Sequence, residues 1–176
     1  DWYTASNWAP NGVPDANTCV YIYDGPNDSY INISAQDAYA RFVTVRPSGL
    51  LQIEADNTLT ITDEVTVDAG GTFNIENSGS LIQINNVANA GIANVKRNAI
   101  TDSALDYVYW STPVAGFSVN NVTPSSGYRY MWNPTVNNGG TYLGNFGNWA
   151  FASGGMTTGR GYIVRGSSGI STFVGT

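Results

Sequence analysis

The sequence predicts an all-β protein, a short parallel β-helix or solenoid followed by an antiparallel β-sandwich-like domain. Three observations carry that prediction. The first is an internal repeat: laid over itself at an offset of 22 residues, the stretch 44–84 brings Thr44-Val45 onto Thr66-Val67, Gly49 onto Gly71 and Leu51 onto Phe73. At the same offset Ile53 falls on Ile75, Glu54 on Glu76 and Leu59 on Leu81. The second is composition: charged residues make up only 11 % of the chain, with twenty glycines, sixteen tyrosines and tryptophans, and no sustained helical periodicity. The third is a change of texture near residue 107, where alternating aromatic segments joined by Gly/Asn/Ser loops begin.

Each period of the repeat holds three short apolar segments. Phe42-Val-Thr-Val45, Leu50-Leu-Gln-Ile53 and Thr58-Leu-Thr-Ile61 recur as Val65-Thr-Val67, Thr72-Phe-Asn-Ile75 and Ser80-Leu-Ile-Gln-Ile84, with turn formers between them. One such coil cannot bury its apolar face alone, whereas stacked coils can, at the inter-strand spacing of about 4.8 Å. A meander of antiparallel hairpins also uses short strands and Gly/Asn turns, but it would not force glycines, glutamates and apolar positions to share one offset.

Before the repeat, Asp1-Trp-Tyr and Asn7-Trp8 through Pro14 read as a cap on the open solenoid end, which would otherwise expose strand edges. Cys19-Val-Tyr-Ile22 and Tyr30-Ile-Asn-Ile33 read as strands of a first, irregular coil, with Cys19 expected as a buried strand residue. Between them the loop holding Asp24 and Asp28 is expected to bulge outward. Those two carboxylates are the candidate ligands for a calcium ion, against the simpler alternative of a solvated turn. Glu54 and Glu76 are expected one above the other, splayed into water or sharing a cation. Gln52 over Asn74 is expected as an amide ladder. The Thr58-Leu-Thr-Ile-Thr62 pattern is not a repeated threonine array, because Ile82 stands where Thr60 would recur.

Residues 85–106 read as leaving the solenoid, giving a β-helix domain over 1–90, a linker over 91–106 and a sandwich-like domain over 107–176. Charge divides at the same place. Residues 1–106 hold all thirteen acids and four basic residues, net −9, while residues 107–176 hold Arg129, Arg160 and Arg165 and no acid, net +3. About five strands are legible in the second part, and with a start at Asp1 lacking Met or a signal peptide, the chain reads as a piece of a longer protein whose second domain is cut short.

Several chemistries drop out. The chain has no histidine and one cysteine, so Ser-His-Asp and Cys-His arrangements, histidine-bound zinc, cysteine metal clusters and an intramolecular disulfide are excluded. Gly154-Gly-Met-Thr-Thr-Gly-Arg-Gly161 is Gly-rich but opens no helix, so it reads as a β-turn loop and not a phosphate cradle. The acidic first half argues against nucleic acid, and no apolar run has the length of a membrane span. Binding is easier to support than catalysis: exposed Trp and Tyr rings stack on sugars while Asn, Gln and Thr hydrogen-bond hydroxyls. Trp132, Trp149, Tyr128 and Tyr142 are the candidates, weighed against a place in the core.

Taken together, Asn7-Trp8 with Gly12-Val13-Pro14, the Leu-x-Ile coils, Glu76-Asn-Ser-Gly-Ser-Leu-Ile-Gln-Ile84, Tyr107-Val-Tyr-Trp110-Ser-Thr-Pro-Val114, Tyr130-Met-Trp-Asn133, Met156-Thr-Thr-Gly-Arg-Gly-Tyr-Ile163 and Phe173-Val-Gly175 resemble large Bacteroidetes surface proteins. These are adhesin-like and exported by the type IX secretion system. The resemblance implies an extracellular module with further domains of the same polypeptide and the secretion machinery as partners; together with the residues above, the reading is a non-enzymatic module with no cofactor beyond the candidate calcium ion and a surface polysaccharide or protein as ligand. The rival is a carbohydrate-binding module or the β-helix region of a polysaccharide-degrading enzyme. It also implies that Asp102-Ser103-Ala104 is an O-glycosylation signal of that phylum, with Ser103 the acceptor, against the alternative of a plain interdomain loop.

Overall fold

In the computed structural model the described residues are 1–23, 30–122, 127–136 and 147–176. Their Cα packing forms two compact units, residues 1–97 with 174–176, and residues 98–173.

The first unit is a parallel β-solenoid of about three turns. Its strands are β1 (Cys19–Ile22), β2 (Tyr30–Ile33), β3 (Ala38–Ala40), β4 (Phe42–Val45), β5 (Leu50–Ile53), β6 (Thr58–Ile61), β7 (Val65–Val67), β8 (Thr72–Ile75) and β9 (Ser80–Gln83). They stack as three faces, β1-β4-β7, β2-β5-β8 and β3-β6-β9, every pair parallel. The register is the one the repeat gives: Leu51↔Phe73, Ile53↔Ile75, Thr44↔Thr66 and Leu59↔Leu81. The core is the inward half of each strand, Val43, Val45, Leu51, Ile53, Leu59 and Ile61 being wholly buried.

The corners explain the glycines of the repeat. A Cβ at Gly49 would lie 2.6 Å from the carbonyl oxygen of Ile22, and one at Gly71 would lie 2.6 Å from that of Val45, so each coil sits too close to the one below for any side chain there. Backbone conformation repeats as well. Ser48 and Gly70 take positive φ at the first corner, and Asp56 and Ser78 do so at the second.

Side chains on the outside form ladders between coils. Asn74 Nδ2 donates to Gln52 Oε1 at 3.4 Å and Asn94 Nδ2 to Asn74 Oδ1 at 3.0 Å. Glu54 and Glu76 do not splay freely into water. Glu54 accepts from Gln52 Nε2 (2.7 Å) and Tyr30 OH (3.3 Å), while Glu76 pairs with Lys96 Nζ at 2.7 Å, so each has a different partner. Arg41 and Arg46 pair with Asp63 and Asp68, 22 residues on.

Asp63 accepts from Asn85 Nδ2 (2.8 Å) and Arg41 Nε (3.1 Å), and these bonds hold its carboxyl below the usual range. A carboxyl whose pKa is lower in the folded state stabilises above its unfolded pKa, and that stabilisation disappears as pH falls through the folded value. Asp63→Asn is therefore expected to melt below the parent near neutral pH, and the gap to close in acid once the Asp63 carboxyl is protonated in the folded state. Melting curves across pH check this; a gap persisting in acid would assign the ladder's effect to something other than charge.

Two expectations change here. Cys19 is exposed, because strand parity turns Val20 and Ile22 inward and leaves Cys19 and Tyr21 outside. The segment 91–106 is not all linker: β10 (Ala93–Ala99) adds a further rung to the second face, with Ala93↔Phe73, Asn94↔Asn74 and Val95↔Ile75. That rung comes 20 residues after its predecessor, which is why an offset of 22 does not find it. Arg97 closes the corner above it, donating to the carbonyls of Glu76, Gly79 and Lys96, and burial pushes its pKa down.

At the other end, Trp2 is buried and its amide donates to the carbonyl of Asn32 in β2, while Trp8 Nε1 donates to the carbonyl of Trp2. The two indoles meet edge to face at 5.1 Å, so both tryptophans belong to a cap. Tyr3 OH donates to the carbonyl of Gln36, and burial, with Asp37 and Tyr39 nearby, raises that phenol to about 12.

The second unit holds an antiparallel sheet of four strands in the order β11-β14-β12-β13, namely β11 (Tyr107–Trp110), β12 (Arg129–Asn133), β13 (Asn148–Phe151) and β14 (Tyr162–Arg165). Its buried side carries Trp110, Tyr162 and Val164, with an irregular layer holding Phe117, Val119, Val122 and Met156 also in the core. Phe173 is wholly buried between Phe117 (4.6 Å) and Trp110 (5.6 Å). The strand expected as the fifth of this sheet, β15 (Gly169–Gly175), is not one of its strands, and residues 174–176 belong to the first unit.

Candidate ligand-binding face

The four-stranded sheet has a second side, and its side chains follow from the register. Tyr107 and Tyr109 alternate with Val108 and the buried Trp110, so the two tyrosines share the side opposite the core. Pairing then fixes the rest. Tyr107 stands across from Arg165, Tyr109 from Ile163, Ile163 from Tyr130, Tyr130 from Phe151, and Trp132 from Trp149. Tyr128, whose carbonyl accepts from the Arg165 amide, continues the same alternation on β12.

One face therefore gathers aromatics from three strands around the central β14. Trp132 and Trp149 meet edge to face at 5.3 Å, Tyr130 and Phe151 at 6.2 Å, and Tyr107 and Tyr130 tilt together at 6.4 Å. These rings are not core. Trp132 is 41 % exposed, Trp149 40 %, Phe151 57 % and Tyr109 74 %. Continuing the register by one residue sets Gly161 beside Trp132, and a Cβ at Gly161 would meet nothing within 4 Å, so the floor there is open.

Arginine borders the rings. The Arg165 guanidinium lies 4.8 Å from the centre of the Tyr128 ring and that of Arg129 5.8 Å from Phe151, while Arg160 donates to the carbonyl of Trp132. Rings with cations at their margins suit a ligand that has both apolar faces and oxygen acceptors.

Of the residues singled out in the sequence, Trp132, Trp149 and Tyr128 come together on this face. Tyr142, Asp24 and Asp28 lie outside the described residues. Ser103 is exposed in a tight turn, where its hydroxyl accepts from the Leu105 amide at 3.1 Å and its own amide donates to Asp106. Sequence reasoning missed Tyr107, Tyr109, Tyr130, Phe151 and Arg165 as members of the face. The signal was present as aromatics two residues apart in Tyr107-Val-Tyr109, Tyr128-Arg-Tyr-Met-Trp132 and Trp149-Ala-Phe151.

The fold and this face define a class, β-solenoid proteins carrying an aromatic-faced antiparallel sheet. Within it, the chain belongs to the family described as Domain of unknown function (DUF8693), whose model matches residues 1–176. No curated protein and no solved structure matches the chain.

Proposed function

We propose that the chain is a non-enzymatic, secreted cell-surface module of a larger adhesin or filament protein. In this reading the solenoid is a stiff spacer and the aromatic face takes a surface polysaccharide. The observation that carries it is the exposure of so many rings on one sheet face, since aromatics left in water are a lasting cost unless a partner covers them. Pyranose rings offer apolar C–H faces for stacking and hydroxyls for hydrogen bonds, which matches aromatic rings set among neutral polar groups. The solenoid's parallel register and its inter-coil amide and ion-pair ladders support the stiff-spacer reading.

The test is a panel of purified polysaccharides presented to the full chain. Selective binding is expected, with no turnover of any polymer. Gly161→Leu, which fills the open floor beside Trp132, is expected to weaken binding without lowering the melting temperature. The same face would serve a binding module of a polysaccharide-degrading enzyme, and polymer turnover would favour that alternative. Export by the type IX secretion system and glycosylation of Ser103 rest on the resemblance alone. Added mass on the Ser103 peptide of native material would support the second, and none would remove it.

A further inference from the structure

We infer that the aromatic face is selective for anionic polysaccharides, polymers bearing carboxylate or sulfate groups, with Arg165 and Arg160 binding the anions while the rings hold the sugars. This rests on the polysaccharide reading above and goes beyond it by naming the charge of the ligand.

The argument starts from where the seven basic residues are spent. Arg41, Arg46 and Lys96 are each paired with a carboxylate of the solenoid, and Arg97 is committed to three backbone carbonyls. The remaining three arginines all lie in residues 107–176, a segment with no carboxylate of its own. Arg160 and Arg165 thus stand beside the exposed rings in a unit whose two aspartates are Asp102 and Asp106, the latter accepting from the Ser103 amide.

The geometry suits anion binding. A guanidinium resting near an aromatic ring, as Arg165 does on Tyr128, loses little further freedom when its in-plane N–H groups engage a carboxylate or sulfate. Arg160 is held at the other end of the face through its bond to the Trp132 carbonyl. Arg160 and Arg165 are five residues apart, about 16 Å along extended chain at roughly 3.3 Å per residue. That distance is on the scale of a few linked sugar rings, so the two cations can meet charges on different residues of one polymer.

Bulk charge cannot produce this behaviour, because the chain carries −6 overall and −9 over its first 106 residues. A polyanion that binds must therefore find a local site. Single-stranded nucleic acid also combines rings with anions, but three arginines on a net acidic chain are few for a ligand with one charge per nucleotide.

The experiment measures binding of the full chain to alginate (carboxylate), dextran sulfate (sulfate), unmodified dextran, hydroxyethylcellulose and poly(dT). Alginate or dextran sulfate is expected to bind at least roughly tenfold more tightly than the neutral polymers. Its affinity is expected to fall about tenfold or more from about 50 to about 500 mM NaCl, as screening requires. Arg165→Gln and Arg160→Gln are each expected to weaken it by roughly three- to tenfold with unchanged melting temperature. The salt titration of the unaltered chain stands even if a variant misfolds. Preference for alginate over dextran sulfate, or the reverse, identifies the anion and supports the inference either way. Neutral polymers bound as tightly as anionic ones would overturn the charge selectivity and leave the polysaccharide reading standing. Binding to no polysaccharide, or tighter binding to poly(dT), would overturn both.

Discussion

Leu51→Ala is expected to lower the unfolding free energy of the solenoid by about 2–5 kcal/mol, whereas Leu50→Ala, one residue earlier, is expected to cost under about 1 kcal/mol. Leu51 is wholly buried and stands in register between Ile31 below and Phe73 above, both also buried. Removing its branched end leaves a void that the coils above and below cannot fill, because hydrogen bonds fix each strand at its spacing. Leu50 belongs to the same strand but faces outward and is half-buried, so its loss exposes little that was hidden. Urea unfolding followed through Trp2 and Trp8, which lie in the same unit, reads both variants. Equal losses for the two leucines would contradict the alternation on which the solenoid depends.

The double variant Trp132→Ala/Trp149→Ala is expected to lose about 10- to 100-fold in polysaccharide affinity, or about 1.4–2.8 kcal/mol, while its melting temperature stays close to the parent's. The two indoles meet edge to face and are about 40 % exposed, so their removal reduces the face more than the fold. Phe173→Ala gives the contrast. That ring is wholly buried between Phe117 and Trp110, and truncation is expected to destabilise the second unit by about 3–5 kcal/mol. Unchanged affinity in the double tryptophan variant would remove the aromatic face from the proposal.

The solenoid was legible because stacking makes position in the chain equivalent to position in space. Leu51 over Phe73 and Gly49 over Gly71 are visible as a repeat, and the close approach to the carbonyls of Ile22 and Val45 gives the reason glycine recurs. Legibility ended where the offset changed: β10 follows β8 at 20 residues, and Ala93, Asn94 and Val95 do not announce themselves as a strand. Cys19 was placed on the wrong side because a four-residue strand fixes its parity only once one inward residue is known. The candidate face was half visible for the same reason. Alternation in Tyr128-Arg-Tyr-Met-Trp132 says that the rings share a side, but only Trp110, buried opposite, decides that this side meets water.

The recurrence of left-handed backbone at Ser48 and Gly70, and again at Asp56 and Ser78, has an architectural consequence. The two regular storeys turn these corners by the same means and meet through the same amide row, so neither depends on its ordinal place. A further 22 residues with these corners and an amide at the Gln52 position would insert as one more storey, lengthening the unit by about 4.8 Å. The tryptophan lid and the Arg97 closure would remain as they are, and height becomes a quantity set by copy number alone.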